Sequence, residues 1–270
     1  MRRLLPIALL VLAATATAPA QPAAPRVEDV LRAAADYVAG YERTLALVAE
    51  ESYTQEIFTV RRTLQSDMLF MQDDKFGWVE FRDIAAVNAR PVRDRQDRLR
   101  ELFTKPNPDR LKQAQRIVAE GARFNLDPPD ARLNRTVNLP LTALRFLRTA
   151  DQYRSHFNMP PQNRSSGIVS LEFTEEHRPR LITTPDQAAA TGRFDIEMTT
   201  GRVLWSSLTL RSWAAHATIE VKFGPNREVG MFLPENMNEQ YRGSFKGVMT
   251  GTATYSKYRQ FKVETSTEIR

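Results

Sequence analysis

From Val27 the apolar residues Val30, Leu31, Ala34, Tyr37, Val38, Tyr41, Leu45 and Val48 recur in steps of three and four. Glu28, Arg32, Asp36 and Arg43 lie opposite them, so the spacing predicts one amphipathic helix. Gly40 weakens that helix by up to ~1 kcal/mol relative to alanine without breaking the pattern. Its stripe is too apolar to face water. The helix must lie on another element.

The period then changes from helix to strand. Tyr53, Ile57 and Thr59 alternate with Thr54, Glu56 and Phe58, and two more runs follow at Met68–Met71 and Trp78–Arg82. "QDDKFG" separates those two with turn-forming residues. Past Pro91 the chain becomes charged and helical, with Asn107-Pro108 as a helix start and Leu111, Ala114, Ile117 and Val118 as its buried stripe. The charges at 93–112 read as the solvated side of such helices. Another short helix is predicted near Asn138-Leu139-Pro140, carrying Leu144, Phe146 and Leu147.

From Gly167 onward nearly everything alternates. Val169, Leu171 and Phe173 share one face of a strand, and Phe194, Ile196 and Met198 one face of the next. Leu204, Leu208 and Leu210 share a parity, as do Ala217, Ile219, Val221 and Phe223, with Glu220 and Lys222 between them. Such alternation predicts antiparallel strands with one dry face and one wet face. Thr200-Gly201 and "GPNRE" at 224–228 supply the turns. The last run slips parity between Tyr255 and Tyr258, which predicts a bulge. The order of helix, strands, helices and strand meander implies an α+β fold, one domain over residues 27–270, with the helices covering one sheet face.

Composition adds a compartment. Met1-Arg2-Arg3, the apolar run Leu4–Ala14 and the small-residue tail ending Ala18-Pro19-Ala20 form a secretory leader, with cleavage expected before Gln21 and a flexible lead at 21–26. The chain has no cysteine, so disulfides, thiolate metal sites and a lipoprotein thiol are all excluded. Its 38 Lys+Arg against 32 Asp+Glu fall to 36 against 32 without Arg2 and Arg3. That mild, interspersed charge does not describe a nucleic-acid binder. No apolar run after the leader is long enough to anchor the mature chain in a membrane.

Candidate chemistry is sparse. His156, His177 and His216 do not pair at metal-ligand spacing, and "DDKFG" lacks the acidic pattern of a calcium loop. Glu175-Glu176-His177 reads as a polar turn, and Ser165-Ser166-Gly167 and Gly243-Ser244 as turn serines. Asp195 and Glu197 are the candidate carboxylate pair for a hydrolase, but they lie on the wet side of their strand. No metal, cofactor or catalytic residue is predicted. What stands out is an aromatic set, Trp78, Trp205, Trp213, Phe81, Phe194, Phe223 and Phe232. Trp205 and Trp213 have the opposite parity from Leu204, Leu208 and Leu210, so another element or a ligand must cover them.

The leader, the opening helix, the hairpin "GRFDIEMTTGRVLWSSLTL" and the continuing strands "ATIEVKFG" and "REVGMFLPENM" together resemble the LolA/LolB-like periplasmic lipoprotein-carrier superfamily. The ending "GTATYSKYRQFKV" also resembles that of exported bacterial proteins with no assigned activity. The resemblance implies a curved antiparallel sheet, an unclosed half-barrel, with the N-terminal and inserted helices on its concave side. It implies a non-catalytic carrier of a lipid or other hydrophobic ligand, with Phe194, Ile196, Met198, Leu204, Leu208 and Leu210 lining the concave side, where they either pack on helices or form the ligand wall. The charged insert at 92–124 departs from that pattern. Two other functions remain open: an envelope protein-interaction module with a closed core and exposed Trp205 or Trp213, and a hydrolase assembled in space.

Overall fold

The alternation of the C-terminal half survives in three dimensions. In β9 (Ala215–Asn226), Ala217, Ile219, Val221 and Phe223 are buried while Glu220 and Lys222 are exposed. Side chains of successive strand residues point to opposite faces, so one parity makes the core and the other meets solvent. The computed structural model describes residues 25–73, 77–92, 110–130, 135, 137–161, 167–213 and 215–260. The leader, Asn107-Pro108 and Ser165-Ser166 lie outside the described residues, as does most of the 93–112 charge block.

The helix α1 (Val27–Thr44) is followed by β1 (Ala46–Ile57), β2 (Val60–Asp73), β3 (Gly77–Val87) and β4 (Arg90–Pro91). Then come α2 (Arg110–Ala122) and two 3-10 turns, at Thr142–Leu147 and Gln152–Arg154. The chain closes with β5 (Ser155–Asn158), β6 (Ile168–Glu175), β7 (Ala190–Glu197), β8 (Val203–Arg211), β9, β10 (Met231–Gly243) and β11 (Met249–Gln260). All eleven strands join one antiparallel sheet in the order β4-β3-β2-β1-β11-β10-β9-β8-β7-β6-β5. The sheet does not close, because β4 and β5 are its two edges. This is the α+β fold that the pattern predicts, with the unclosed half-barrel that the resemblance implies.

That order imposes a crossing. β4 and β5 stand at opposite edges and are joined through residues 92–154, whose described part after α2 lies in the inner core. Leu126, Val137, Leu141, Leu144, Phe146 and Leu147 from it are buried in the main core with α1 and the inner parity of the strands. From α1, Val30, Ala34, Val38 and Tyr41 face the same core. Gly201, at φ +70°, seats the β7–β8 turn on α1, since a Cβ there would stand 2.2 Å from the Ala33 carbonyl oxygen. Arg148 ties the connector to α1 through Glu42 at 2.6 Å.

Several expectations need correction. α1 ends at Thr44: Leu45 turns extended and Val48 joins the outer face of β1. α2 does not cover the concave face. Its Ile117 packs with Leu69, Met71 and Phe81 on the opposite side of β2 and β3, leaving Val118 46% exposed. The side chains of Leu111 and Ala114 lie outside the described residues. The predicted strand through Thr59 is cut by a turn at Phe58-Thr59, and the helix near 138–147 is a 3-10 turn from Thr142. The β9–β10 turn falls at 227–230, closed by Gly230, so Gly224-Pro225-Asn226 remain in strand. The slip between Tyr255 and Tyr258 is present: Val48 faces Arg259 but Glu50 faces Ser256.

The strand alternation is directly testable. Val221→Asp places an unpaired charge in the core and is expected to cost several kcal/mol. Lys222→Ser loses only an exposed ion pair to Glu235 and is expected to cost under about 1 kcal/mol. Urea unfolding of both variants checks the difference; equal midpoints would contradict the assigned faces.

Candidate functional site

Irregular backbone inside a core needs hydrogen-bond partners, and the sheet provides them from strand positions that face inward. Arg62 donates to the carbonyls of Phe124 and Asn125 at 3.0 and 2.8 Å. Gln55 Oε1 accepts the Leu126 N–H at 2.6 Å, and Glu80 accepts the Leu141 N–H at 2.9 Å. Arg82 Nη2 donates to the Asn138 carbonyl at 3.2 Å and to Glu51 at 2.7 Å. The connector's own Arg135 reaches back to Glu239 at 3.1 Å, to Gln55 at 2.6 Å and to the Leu126 carbonyl at 2.9 Å. Tyr53 donates to Glu239, and Tyr241 donates to the other Glu239 oxygen at 2.8 Å.

The electrostatics of this cluster follow from its enclosure. Burial alone would lower the pKa of the Arg82 guanidinium, but the adjacent Glu51 outweighs it and the net shift is upward. Burial, and then Glu239, raises that of Tyr53. Arg135 and Glu239 side chains are 1% and 0% exposed. Arg82 holds Glu51 and the connector's Arg135 holds Glu239, an arrangement that fixes the crossing segment.

The expected ligand wall is packed. Phe194, Ile196, Leu208 and Leu210 are 0%, 0%, 1% and 4% exposed. Phe173 stacks on Phe194 at 5.3 Å and on Phe146 of the connector at 4.5 Å. The protein's own side chains thus occupy the space that this hairpin faces. Met198 leaves the wall, lying 43% exposed in the β7–β8 turn. Leu204 leaves it too, because Asp195 faces Trp205 while Ile196 faces Val203, so Leu204 is a bulge residue. Val203 and Ser206 take the inner positions instead.

Trp205 points outward and half-buried, with the Arg193 guanidinium 5.5 Å from its ring centre. Trp213 is 74% exposed beyond the end of β8. The Trp78 side chain lies outside the described residues. Asp195 and Glu197 face out and pair with Arg193 and Arg202 at 2.9 and 3.6 Å. Glu175 is no turn residue: it is buried and accepts the N–H groups of Leu181 and Ala190 at 2.6 and 3.1 Å. Among the described residues no three acidic or histidine side chains gather as a metal site.

Among the described residues, a cleft beside α1 combines aromatic lining with room. It measures about 660 Å³ and lies between α1, the β7–β8 turn and the β9–β10 hairpin. Tyr37, Gly40 and Tyr41 line it from α1, Met231 and Phe232 from β10, and Arg202 from the residue before β8. Arg202 sits 5.0 Å from the Phe232 ring centre. Burial pushes the Tyr37 hydroxyl up to about 12, with Arg202 opposing. Apart from Phe232, named within the aromatic set, the sequence reading assigned no site role to these residues, because they are spread over three elements and several read as core.

Arg135→Met leaves Glu239 buried without its cation and is expected to cost about 3–5 kcal/mol, with Arg135→Met/Glu239→Gln recovering part of the loss. Denaturant unfolding of both measures this; a loss below about 1 kcal/mol in the single variant would mean the pair does not hold the connector.

No protein-family model and no curated protein matches the chain. Three solved structures are similar to it. One is a domain attributed to an outer membrane lipoprotein-sorting protein, from Vibrio parahaemolyticus, at 10% identity and TM-score 0.49, covering 91% of this chain and 95% of that one. A LolA superfamily protein from Nitrosomonas europaea is 8% identical at TM-score 0.42, covering 89% and 96%. A DUF1329 family protein from Desulfovibrio piger is 9% identical at TM-score 0.43, covering 90% and 95%.

Proposed function

We propose that the protein is an exported, non-catalytic binding protein that carries a lipid or other hydrophobic ligand. The observation that carries this reading is the cleft under α1, where Tyr37, Tyr41, Met231 and Phe232 present apolar surface around about 660 Å³. Small-molecule sites are concave, mostly apolar and of this size, with a few polar groups for orientation. The site therefore moves from the packed wall at Phe194 and Leu208 to the mouth beside α1. An open-edged sheet suits reversible loading, since a ligand enters beside the helix without unfolding a closed barrel.

A second reading has an observation of its own. Phe58, Val60 and Val248 are 64%, 49% and 39% exposed at the adjoining β1–β2 and β10–β11 turns. Exposed apolar residues gathered at one end favour an envelope protein-interaction module whose core is filled.

Titration with the fluorescent fatty acid cis-parinaric acid separates the two. Roughly 0.8 kcal/mol per buried methylene, less the cost of ordering the chain, gives binding on the order of micromolar. Saturable fluorescence displaced by palmitate is the expected outcome. A linear response up to about a hundred times that concentration would contradict the carrier reading and favour the interaction module.

A further inference from the structure

We infer that Arg202 is the specificity-determining residue of the cleft beside α1, and that the ligand is an amphiphile with an anionic head group, a carboxylate or a phosphate. The inference rests on the binding reading above and specifies the chemistry of that site. Arg202 lines the cleft with its side chain 43% exposed, so a ligand there reaches it. Its backbone is fixed by the β7–β8 turn. The Arg202 carbonyl accepts the Glu197 N–H at 2.8 Å, and the Arg202 N–H donates to the Thr200 hydroxyl at 3.2 Å. Gly201, the residue before it, seats the turn on the Ala33 carbonyl of α1. The guanidinium then stands 5.0 Å from the centre of the Phe232 ring of β10. A guanidinium laid on an aromatic face keeps its N–H groups at its edge, where they donate in plane.

Those donors are not spent on the protein. Among the described residues the ion-pair partner of Arg202 is Glu197, at 3.6 Å, beyond hydrogen-bond reach. Both side chains are more than a third exposed, so water screens the pair and it holds the guanidinium weakly. Glu197 already accepts the Thr200 hydroxyl. Arg193, on the outer face of the same hairpin, gives the comparison. It lies over Trp205 at 5.5 Å, yet it makes three hydrogen bonds to Asp195, at 2.9 to 3.1 Å. Arg202 has the aromatic support without the acceptor. The acceptor that fits its fork is a carboxylate or a phosphate.

The rest of the lining suits a tail. Tyr37, Met231 and Phe232 place apolar surface beside the guanidinium. Arg202 also opposes the upward shift that burial gives the Tyr37 hydroxyl, so its charge is felt at the aromatic wall. Asp36 lines the cleft as well, but it is exposed on α1 and water screens its charge.

Calorimetric titration with laurate, dodecyl phosphate and dodecanol tests the inference, since these probes share a chain length and differ in head group. Both anions are expected to bind the wild-type protein about tenfold or more tightly than dodecanol, as a bond to a charged acceptor implies. The tighter of the two identifies the head group as carboxylate or phosphate. Arg202→Gln should remove the anion preference and leave dodecanol unchanged, with a thermal melt matching wild type because the lost ion pair is exposed. Arg202→Lys should recover part of the preference, having the charge without the fork. Glu197→Gln removes the competing carboxylate and should tighten both anions, a gain that misfolding does not produce. Equal wild-type affinity for all of the probes, or an anion preference that survives Arg202→Gln, would overturn the inference while the carrier reading stood. Absence of binding of every probe to the wild type would remove the carrier reading and this inference together.

Discussion

The structure depends on one topological constraint: β4 and β5 are the opposite edges of an open sheet and are joined through residues 92–154. After α2 on the outer face, the described part of that connection from Leu126 to Leu147 lies in the inner core. Crossing brings irregular backbone into a place without water, where every N–H and C=O needs a partner. Glu80, Gln55, Arg82 and Arg135 supply those partners, and Glu51 and Glu239 balance the two buried guanidinium groups. The buried charges on the strands are thus a consequence of the crossing. Removing one member leaves an uncompensated charge in the core, which makes the connector's path strongly specified.

The same crossing decides where space remains. With Phe146, Leu144 and Leu147 pressed into the half-barrel, the hairpin at 194–210 has no room to line a cavity. Among the described residues, a cleft remains beside α1 and the β9–β10 turn. There the lining changes character, from interdigitated phenylalanine and leucine to tyrosine, methionine, arginine and a helical glycine. A filled wall with a neighbouring cleft is compatible with a carrier that holds its ligand at the mouth of the half-barrel. It also explains why the core is closed without making the protein a scaffold by default.

Much of the fold was legible because alternation is a local signal. The inner parity of β9, the amphipathic α1 and the bulge between Tyr255 and Tyr258 were all readable from neighbouring residues. Three features were not. Inward-facing Glu51, Glu80, Arg82 and Glu239 look like wet-face residues, since their partners are distant: Arg135 and Glu239 are 104 positions apart. The bulge at Leu204 carries no glycine or proline to mark it, so the leucine parity extended one residue too far. α2 has an apolar stripe, but the stripe does not say which sheet face receives it. The cleft was hidden for a related reason. Tyr37 and Tyr41 sit at core-like helical positions, and nothing local shows that space remains beside them.

The central claim is that a hydrophobic ligand occupies the mouth beside α1 while the wall at Phe194, Ile196, Leu208 and Leu210 stays packed. A fatty acid bearing a diazirine in its chain, photolysed on the wild-type protein and mapped by peptide mass spectrometry, tests it most directly. The account predicts adducts on residues 37–44 and 226–232. Adducts concentrated on β7 and β8 at 194–210 would contradict it, and would show that the connector gives way to admit the ligand.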